Sequence, residues 1–291
     1  MVITFLERKT IVFDIDETLV LAQEEPFPDD PNLDTAVLKM NFISGGNSNT
    51  LSQQNVANLC FRPYLLEMLI ELYPHFELIL FTVGTQEYAH AFSKALHSFY
   101  WKSKFAQQGF FSQYAQNTNV VFNASGINIK SPARSIRNME YGFGSQGGQG
   151  FFSHILSFKE CLYSRHNEMY LKDLKILEAG RNLSDIIIVD NTIKSFYLQM
   201  DNGLPIYDFE ADSTDPALLH LTVYLKSFLI EEDVRDKIAV DFGIRSAARR
   251  NISANSVLPH GLLLPGENPL NQSKISNNSN LQSQVVVGMQ K

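Results

Sequence analysis

Three short apolar runs, each ending abruptly in polar residues, constrain the fold of this chain more than any other feature. Thr10 to Phe13 is β-branched and aromatic and runs into Asp14; Glu77 to Thr82 (ELILFT) and Asp185 to Val189 (DIIIV) repeat the pattern. Short continuous apolar runs of this kind suit strands covered on both faces, as in a parallel sheet. Between the first two runs, Pro63 to Tyr73 sets Leu65, Leu66, Leu69, Ile70 and Leu72 at helical spacing with proline at the first turn, and Gln86 to Phe99 offers a second helix. Strands alternating with helices predict an α/β fold built on a parallel sheet with right-handed crossovers. Ligands of such sheets collect beyond the carboxyl ends of the strands, which is where the polar residues of the three runs fall.

The 291 residues suffice for one large domain or two small ones. With 44% hydrophobic and 19% charged residues, wholly disordered, collagenous and coiled-coil chains are excluded. Apolar stretches run far below the roughly 18 residues of a bilayer-spanning helix, so no membrane partner is expected. The amino terminus lacks the basic, apolar, small-residue order of a secretory signal. Cys60 and Cys161 stand far apart with no CxxC or Cys/His spacing, which predicts neither disulfide nor zinc site and fits a reduced nuclear or cytoplasmic compartment. Residues 243–291 contain no aromatic and carry a balance of +4; against a whole-chain charge of −7 this leaves −11 for residues 1–242. The expected organisation is therefore a folded body over 1–242 and a disordered polar tail over 243–291, with a flexible Gly/Asn/Gln-rich insertion at about 105–152. An acidic body argues against direct nucleic-acid binding.

The first strand carries the chemistry. Asp14, Asp16 and Thr18 follow it at two-residue intervals, and alternate positions of an extended chain face one way. Two carboxylates converging in a half-buried crevice need a cation, a shared proton or a raised pKa. A hard, oxygen-liganded ion such as Mg²⁺ answers that need.

Phe13-Asp14-Ile15-Asp16-Glu17-Thr18-Leu19 resembles the DLDETL first motif of the haloacid dehalogenase superfamily, in particular its small phosphatases of the RNA polymerase II carboxy-terminal domain, also called NLI-interacting-factor-like phosphatases. Phe61-Arg62-Pro63 resembles that family's RPG-helix segment, and Phe81-Thr82-Val83-Gly84 stands at its FTAS motif. Tyr170-Leu171-Lys172-Asp173-Leu174 looks like YxKDL, and Val189-Asp190-Asn191-Thr192 like LDNS. Two departures stand out: Val83-Gly84 replaces a small residue and serine, and Thr192-Ile193 replaces Ser-Pro. Phe158-Lys159-Glu160-Cys161 matches the family's FRES segment only loosely, and Lys159 is left outside the site.

The resemblance implies a haloacid-dehalogenase-like Rossmannoid sheet with flanking helices, a small β flap at about 20–61 and no large cap domain. It implies a Mg²⁺-dependent phosphatase acting on a phosphorylated Ser/Thr protein or peptide through an aspartyl-phosphate. Asp14 would be the nucleophile and metal ligand, and Asp16 the general acid and base, binding the ion only through its backbone carbonyl. Asn191 would complete the metal shell, with Asp190 orienting water or Lys172, while Thr82 and Lys172 would bind the phosphoryl group. Two alternatives share the scaffold: a peptide-binding or translocase-receptor module with little turnover, and a small-metabolite phosphatase.

Overall fold

The computed structural model describes residues 8–42, 53–107, 121–123, 126–128, 150–165 and 168–245. The three apolar runs form the centre of a five-stranded parallel sheet. Its strands are β1 (Thr10–Phe13), β5 (Glu77–Phe81), β8 (His154–Leu156), β11 (Ile186–Asp190) and β12 (Gly203–Pro205), in the spatial order β12-β11-β1-β5-β8. β1 is central, with Phe13 opposite Val189 on one side and Leu80 on the other. Ile11, Val12, Phe13 and Ile186 to Val189 are wholly inaccessible to solvent, as strands covered on both faces require.

The chain order explains where a site can form. From β1 the sheet grows through β5 to β8 on one side, and the chain then returns across β1 to lay down β11 and β12 on the other. That reversal opens a crevice at the carboxyl ends of β1 and β11.

Between β1 and β5 the chain makes a small antiparallel sheet from β2 (Val20–Gln23), β3 (Thr35–Phe42) and β4 (Gln53–Phe61), ordered β2-β4-β3, which is the expected flap. Helix α1 (Leu65–Leu72) follows, then after β5 helix α2 (Gln86–Lys102), longer at its end than the apolar spacing predicts, and the single turn α3 (Lys104–Gln107). Pro63 is not in the first turn of α1, a correction to the sequence reading. Tyr64 takes a left-handed conformation (φ 64°, ψ 11°), so the chain turns once more before Leu65 starts the helix.

Most of the 105–152 insertion lies outside the described residues, apart from its two ends and the paired strands β6 (Val121–Asn123) and β7 (Gly126–Asn128). At its far end Phe151 is buried in the core, edge-on to Tyr73 and Tyr100. The hairpin β9 (Leu162–Ser164) and β10 (Met169–Leu171) leads toward β11. Helices α4 (Ala217–Ser227) and α5 (Val234–Phe242) complete the domain, α4 packing on α1 and α5 against β12. Gly243 caps α5 in the left-handed region, Ile244 joins the core, and Arg245 pairs with Asp201 at 2.6 Å. The rest of the 243–291 segment is outside the described residues. No described helix is long and apolar enough to cross a membrane.

Packing is close around Gly203 at the start of β12. A Cβ there would stand 2.1 Å from the ring of Phe196, which is fully buried and cannot swing away. Gly203→Ala is expected to lower the free energy of unfolding by about 2 kcal/mol, the cost of overpacking a closed core. Urea denaturation measures it, and a midpoint equal to that of the unaltered chain would contradict the packing.

Candidate active site

Asp14 is the first residue beyond β1. Its backbone N–H donates to the Val189 carbonyl at 3.0 Å, so the parallel ladder carries one step past the strand and sets Asp14 beside Asp190. The Asp14 residue is 6% exposed. Lys172 arrives from the end of β10, where its backbone N–H donates to the Ser195 carbonyl at 2.7 Å. Its side chain is buried and its Nζ lies 2.5 Å from Asp14 Oδ1 and 2.6 Å from Asp190 Oδ2.

Burial alone would lower the Lys172 pKa, but the charges of Asp14 and Asp190, with their hydrogen bonds, overcome it and raise the pKa above the ordinary lysine value. Lys172 is therefore an ammonium. Burial and then the Asp14 charge push Asp190 up to about 7 against the pull of Lys172. The second Asp190 oxygen accepts from the Thr192 N–H at 2.7 Å, which holds the carboxyl on the lysine side.

The other face of Asp14 meets oxygen donors. The Thr18 hydroxyl lies 3.5 Å from Asp14 Oδ2 and 3.3 Å from Asn191 Oδ1, and Thr18 Oγ1 accepts the Asn191 backbone N–H at 3.2 Å. The Asn191 amide nitrogen donates to Glu17 at 3.1 Å and Asp208 at 2.9 Å, leaving its carbonyl oxygen on the Thr18 and Asp14 side. One carboxylate oxygen and one amide oxygen thus converge on a single hydroxyl. Among the described residues no group of three His, Cys, Asp or Glu side chains forms a metal cage. A hard-oxygen set with so few protein ligands suits Mg²⁺, which keeps several waters and takes the rest from one or two carboxylates and a phosphate. The residues present fit that ion.

Asp16 stands one step further along the loop, in the turn where Glu17 takes a left-handed conformation (φ 58°) and the N–H groups of Leu19 and Val20 both donate to the Ile15 carbonyl. Burial, then the negative charge of Asp14, push the Asp16 pKa up to about 7. The Tyr88 phenol donates a hydrogen bond to Asp16 Oδ1. Burial and the neighbouring Asp16 charge raise Tyr88 well above the ordinary tyrosine value, so it stays a donor.

Thr82 caps β5, buried, with its Oγ1 accepting the Gly84 N–H at 2.9 Å. The accepted bond leaves the hydroxyl proton to donate elsewhere. Direct hydrogen bonds therefore join Asp14, Lys172, Asp190, Thr18 and Asn191, while Asp16 is bonded to Tyr88 and Thr82 to Gly84. Lys159 is bonded to Gln86 at 3.0 Å.

Two residues in this machinery carry no legible signal of their role. Tyr88 reads as an ordinary helix residue. Arg62 lies in a recognised motif, but its function shows only in three dimensions. Its side chain is almost wholly buried and pairs with Asp215 through Nε and one terminal nitrogen, both at 2.9 Å. Its other nitrogen donates to the carbonyls of Glu17, Thr18 and Tyr207. The guanidinium fork ties the root of the flap to the loop that carries Asp16.

A parallel sheet with an acid, lysine and asparagine gathered at its switch point defines a haloacid-dehalogenase-like α/β protein. Residues 9–123 and 146–235 match the model of the NLI interacting factor-like phosphatases, and the chain belongs to that family. The CTD small phosphatase-like protein 2 of Dictyostelium discoideum is 28% identical over 233 residues, covering 80% of this chain and 30% of that protein. The human CTD small phosphatase-like protein is 38% identical over 85 residues, 29% of each chain. The matched part thus spans about 30% of the length of these relatives. The solved structure of a fission yeast RNA polymerase II CTD phosphatase, Fcp1, bound to beryllium fluoride aligns at 16% identity and a TM-score of 0.41, over 88% of this chain and 58% of that one.

The raised pKa of Asp16 has a thermodynamic consequence. A carboxyl near 7 when folded and near 3.8 when unfolded holds its proton longer in the folded chain. Its contribution to stability is full at low pH and declines as pH rises from about 4 toward 7. In metal-free buffer, Asp16→Asn should therefore gain stability relative to the unaltered chain between pH 5 and 7, by at most about 1.4 kcal/mol per pH unit. Paired denaturation curves at those pH values measure the gap. A gap that narrows with rising pH would contradict the assignment.

Proposed function

We propose that this chain is a Mg²⁺-dependent phosphoprotein phosphatase that works through an aspartyl-phosphate on Asp14. The observation that carries the reading is the buried Lys172 ammonium between Asp14 and Asp190 at the tips of two adjacent parallel strands. Burying three ionisable groups in contact is costly, and such groups cluster at functional sites, which supports chemistry over peptide binding alone.

Asp14 attacks phosphorus in line with the leaving seryl or threonyl oxygen. Lys172 offsets the charge of Asp14, which lowers its repulsion of an incoming phosphate, and remains near as charge spreads over the phosphoryl oxygens. Thr82 donates its hydroxyl proton to one of those oxygens. Burial and the Asp14 charge raise the pKa of Asp16, which favours its protonated form, and Asp16 gives that proton to the leaving oxygen. As a carboxylate it then takes a proton from the water that opens the aspartyl-phosphate. Asp14, Asn191 and the Asp16 main-chain carbonyl would hold Mg²⁺, which would supply positive charge to offset the negative charge of the phosphoryl group.

Among the described residues a three-stranded flap is the element inserted between β1 and α1, which supports a phosphorylated side chain on a peptide as substrate over an enclosed metabolite. The RNA polymerase II carboxy-terminal domain is the candidate suggested by the relatives' names. The acidic body speaks against direct nucleic-acid contact, and two free thiols support a nuclear or cytoplasmic setting.

Hydrolysis of para-nitrophenyl phosphate with and without chelator, for the unaltered chain and Asp14→Asn, tests the reading. Chelation should abolish turnover and Asp14→Asn should reduce it by about a thousandfold or more, the scale of losing a covalent nucleophile. A variant within about tenfold of the unaltered chain would end the mechanism.

A further inference from the structure

Tyr88 lies in the first turn of α2, 7% exposed, and its phenol donates to Asp16 Oδ1. Its position is fixed from two directions. The Thr85 hydroxyl accepts the Tyr88 N–H at 3.2 Å, which starts the helix at that turn. The ring lies against Gly84, where a Cβ would come 2.9 Å from Tyr88 Cδ1 and 3.2 Å from Thr82 Oγ1. Gly84 is held in turn, its N–H on Thr82 Oγ1 at 2.9 Å and its carbonyl accepting from the Phe158 N–H at 3.0 Å. The departure from the family's usual residues at Val83-Gly84 thus falls where both the Tyr88 ring and the Thr82 hydroxyl leave no room for a side chain.

Asp16 lacks comparable support of its own. The turn around Glu17 sets its backbone, but among the described residues Tyr88 is the one side chain that hydrogen bonds its carboxyl. An unpinned carboxylate samples several rotamers, and misplacement of a proton donor is costly in rate.

We propose that Tyr88 is a positioning residue for Asp16: by occupying Oδ1 it directs the transferable proton to Oδ2, and Gly84 is the residue that admits the ring. This inference rests on the phosphatase reading and deepens it, because it concerns proton delivery to the leaving group alone. When the phosphorus–oxygen bond breaks, its electron pair stays on the departing oxygen and the Asp16 proton passes to it. A seryl oxygen is strongly basic and needs that proton, whereas para-nitrophenolate departs without one. The substrate class that depends on Tyr88 is therefore the alkyl phosphate of phosphoserine and phosphothreonine.

The test compares kcat/KM for a phosphoserine peptide and for para-nitrophenyl phosphate in Tyr88→Phe, which keeps the ring and removes the hydroxyl. kcat/KM covers steps only through phosphorylation of Asp14, so the shared hydrolysis of the intermediate does not enter. The ratio of peptide to aryl values should fall on the order of tenfold or more, within the range of general acid catalysis. In an Asp16→Asn background, Tyr88→Phe should leave the ratio where Asp16→Asn alone puts it, because the tyrosine acts through the acid. An unchanged ratio in Tyr88→Phe, including an equal loss on both substrates, overturns the proposal. Should that variant not fold, Gly84→Ala, which keeps the phenol and displaces the ring, is read by the same ratio. Failure of the phosphatase reading shows separately, as an Asp14→Asn variant that retains turnover.

Discussion

A lysine ammonium removed from water between two carboxylates is the interaction on which the rest of this molecule depends. Lys172 can stay charged in the interior only because Asp14 and Asp190 both stand within hydrogen-bond distance, and their charges are tolerated there because Lys172 is present. Removing one member would leave uncompensated charge at a cost of about 3–5 kcal/mol. The three residues are widely separated in the chain and meet through topology. β1 and β11 pair in parallel with Phe13 opposite Val189, and the residues immediately beyond or at the end of each strand are the two acids. Any slip in that register would part them.

The loops around this centre are held by side chains from several elements. Arg62, one residue past the last flap strand, holds the carbonyls of Glu17 and Thr18 and is itself clamped by Asp215 at the entrance to α4. The flap, the Asp16 loop and α4 are thereby one mechanical unit. On the opposite side, Thr82, Gly84 and Tyr88 form a second unit that reaches Asp16 from β5 and α2. The carboxyl of Asp16 thus lies where the two units meet, and its raised pKa reflects the burial that this meeting produces.

Much of this was legible in the sequence because it follows from local pattern. Four of the central features, the strands ending in Asp14, Thr82 and Asp190 and the helix from Gln86, appear as apolar runs and helical spacing with polar stops. The alternation Asp14, Asp16, Thr18 announces a crevice needing compensation, and the ordered motifs place Lys172 and Asn191 in it. The rest depends on distances that spacing does not encode. Tyr88 looks like any buried aromatic of an amphipathic helix, since its hydroxyl partner lies 72 positions earlier. Asp215, the counter-charge of Arg62, is 153 positions away in an acidic stretch with no pattern. No local pattern marks Gly203, whose necessity comes from the Phe196 ring. Pro63 suggested a helix start by its preference for first turns, and the left-handed turn at Tyr64 moved that start to Leu65.

Chemical trapping reaches the nucleophile most directly. The unaltered chain is mixed with Mg²⁺ and a phosphorylated substrate, quenched during turnover, and treated with borohydride, which reduces an acyl phosphate to an alcohol. Peptide mass spectrometry should then find homoserine at position 14 and aspartate at position 16. Phosphate or reduction at any other residue, or turnover with position 14 unmodified at every time of quenching, would contradict covalent catalysis by Asp14.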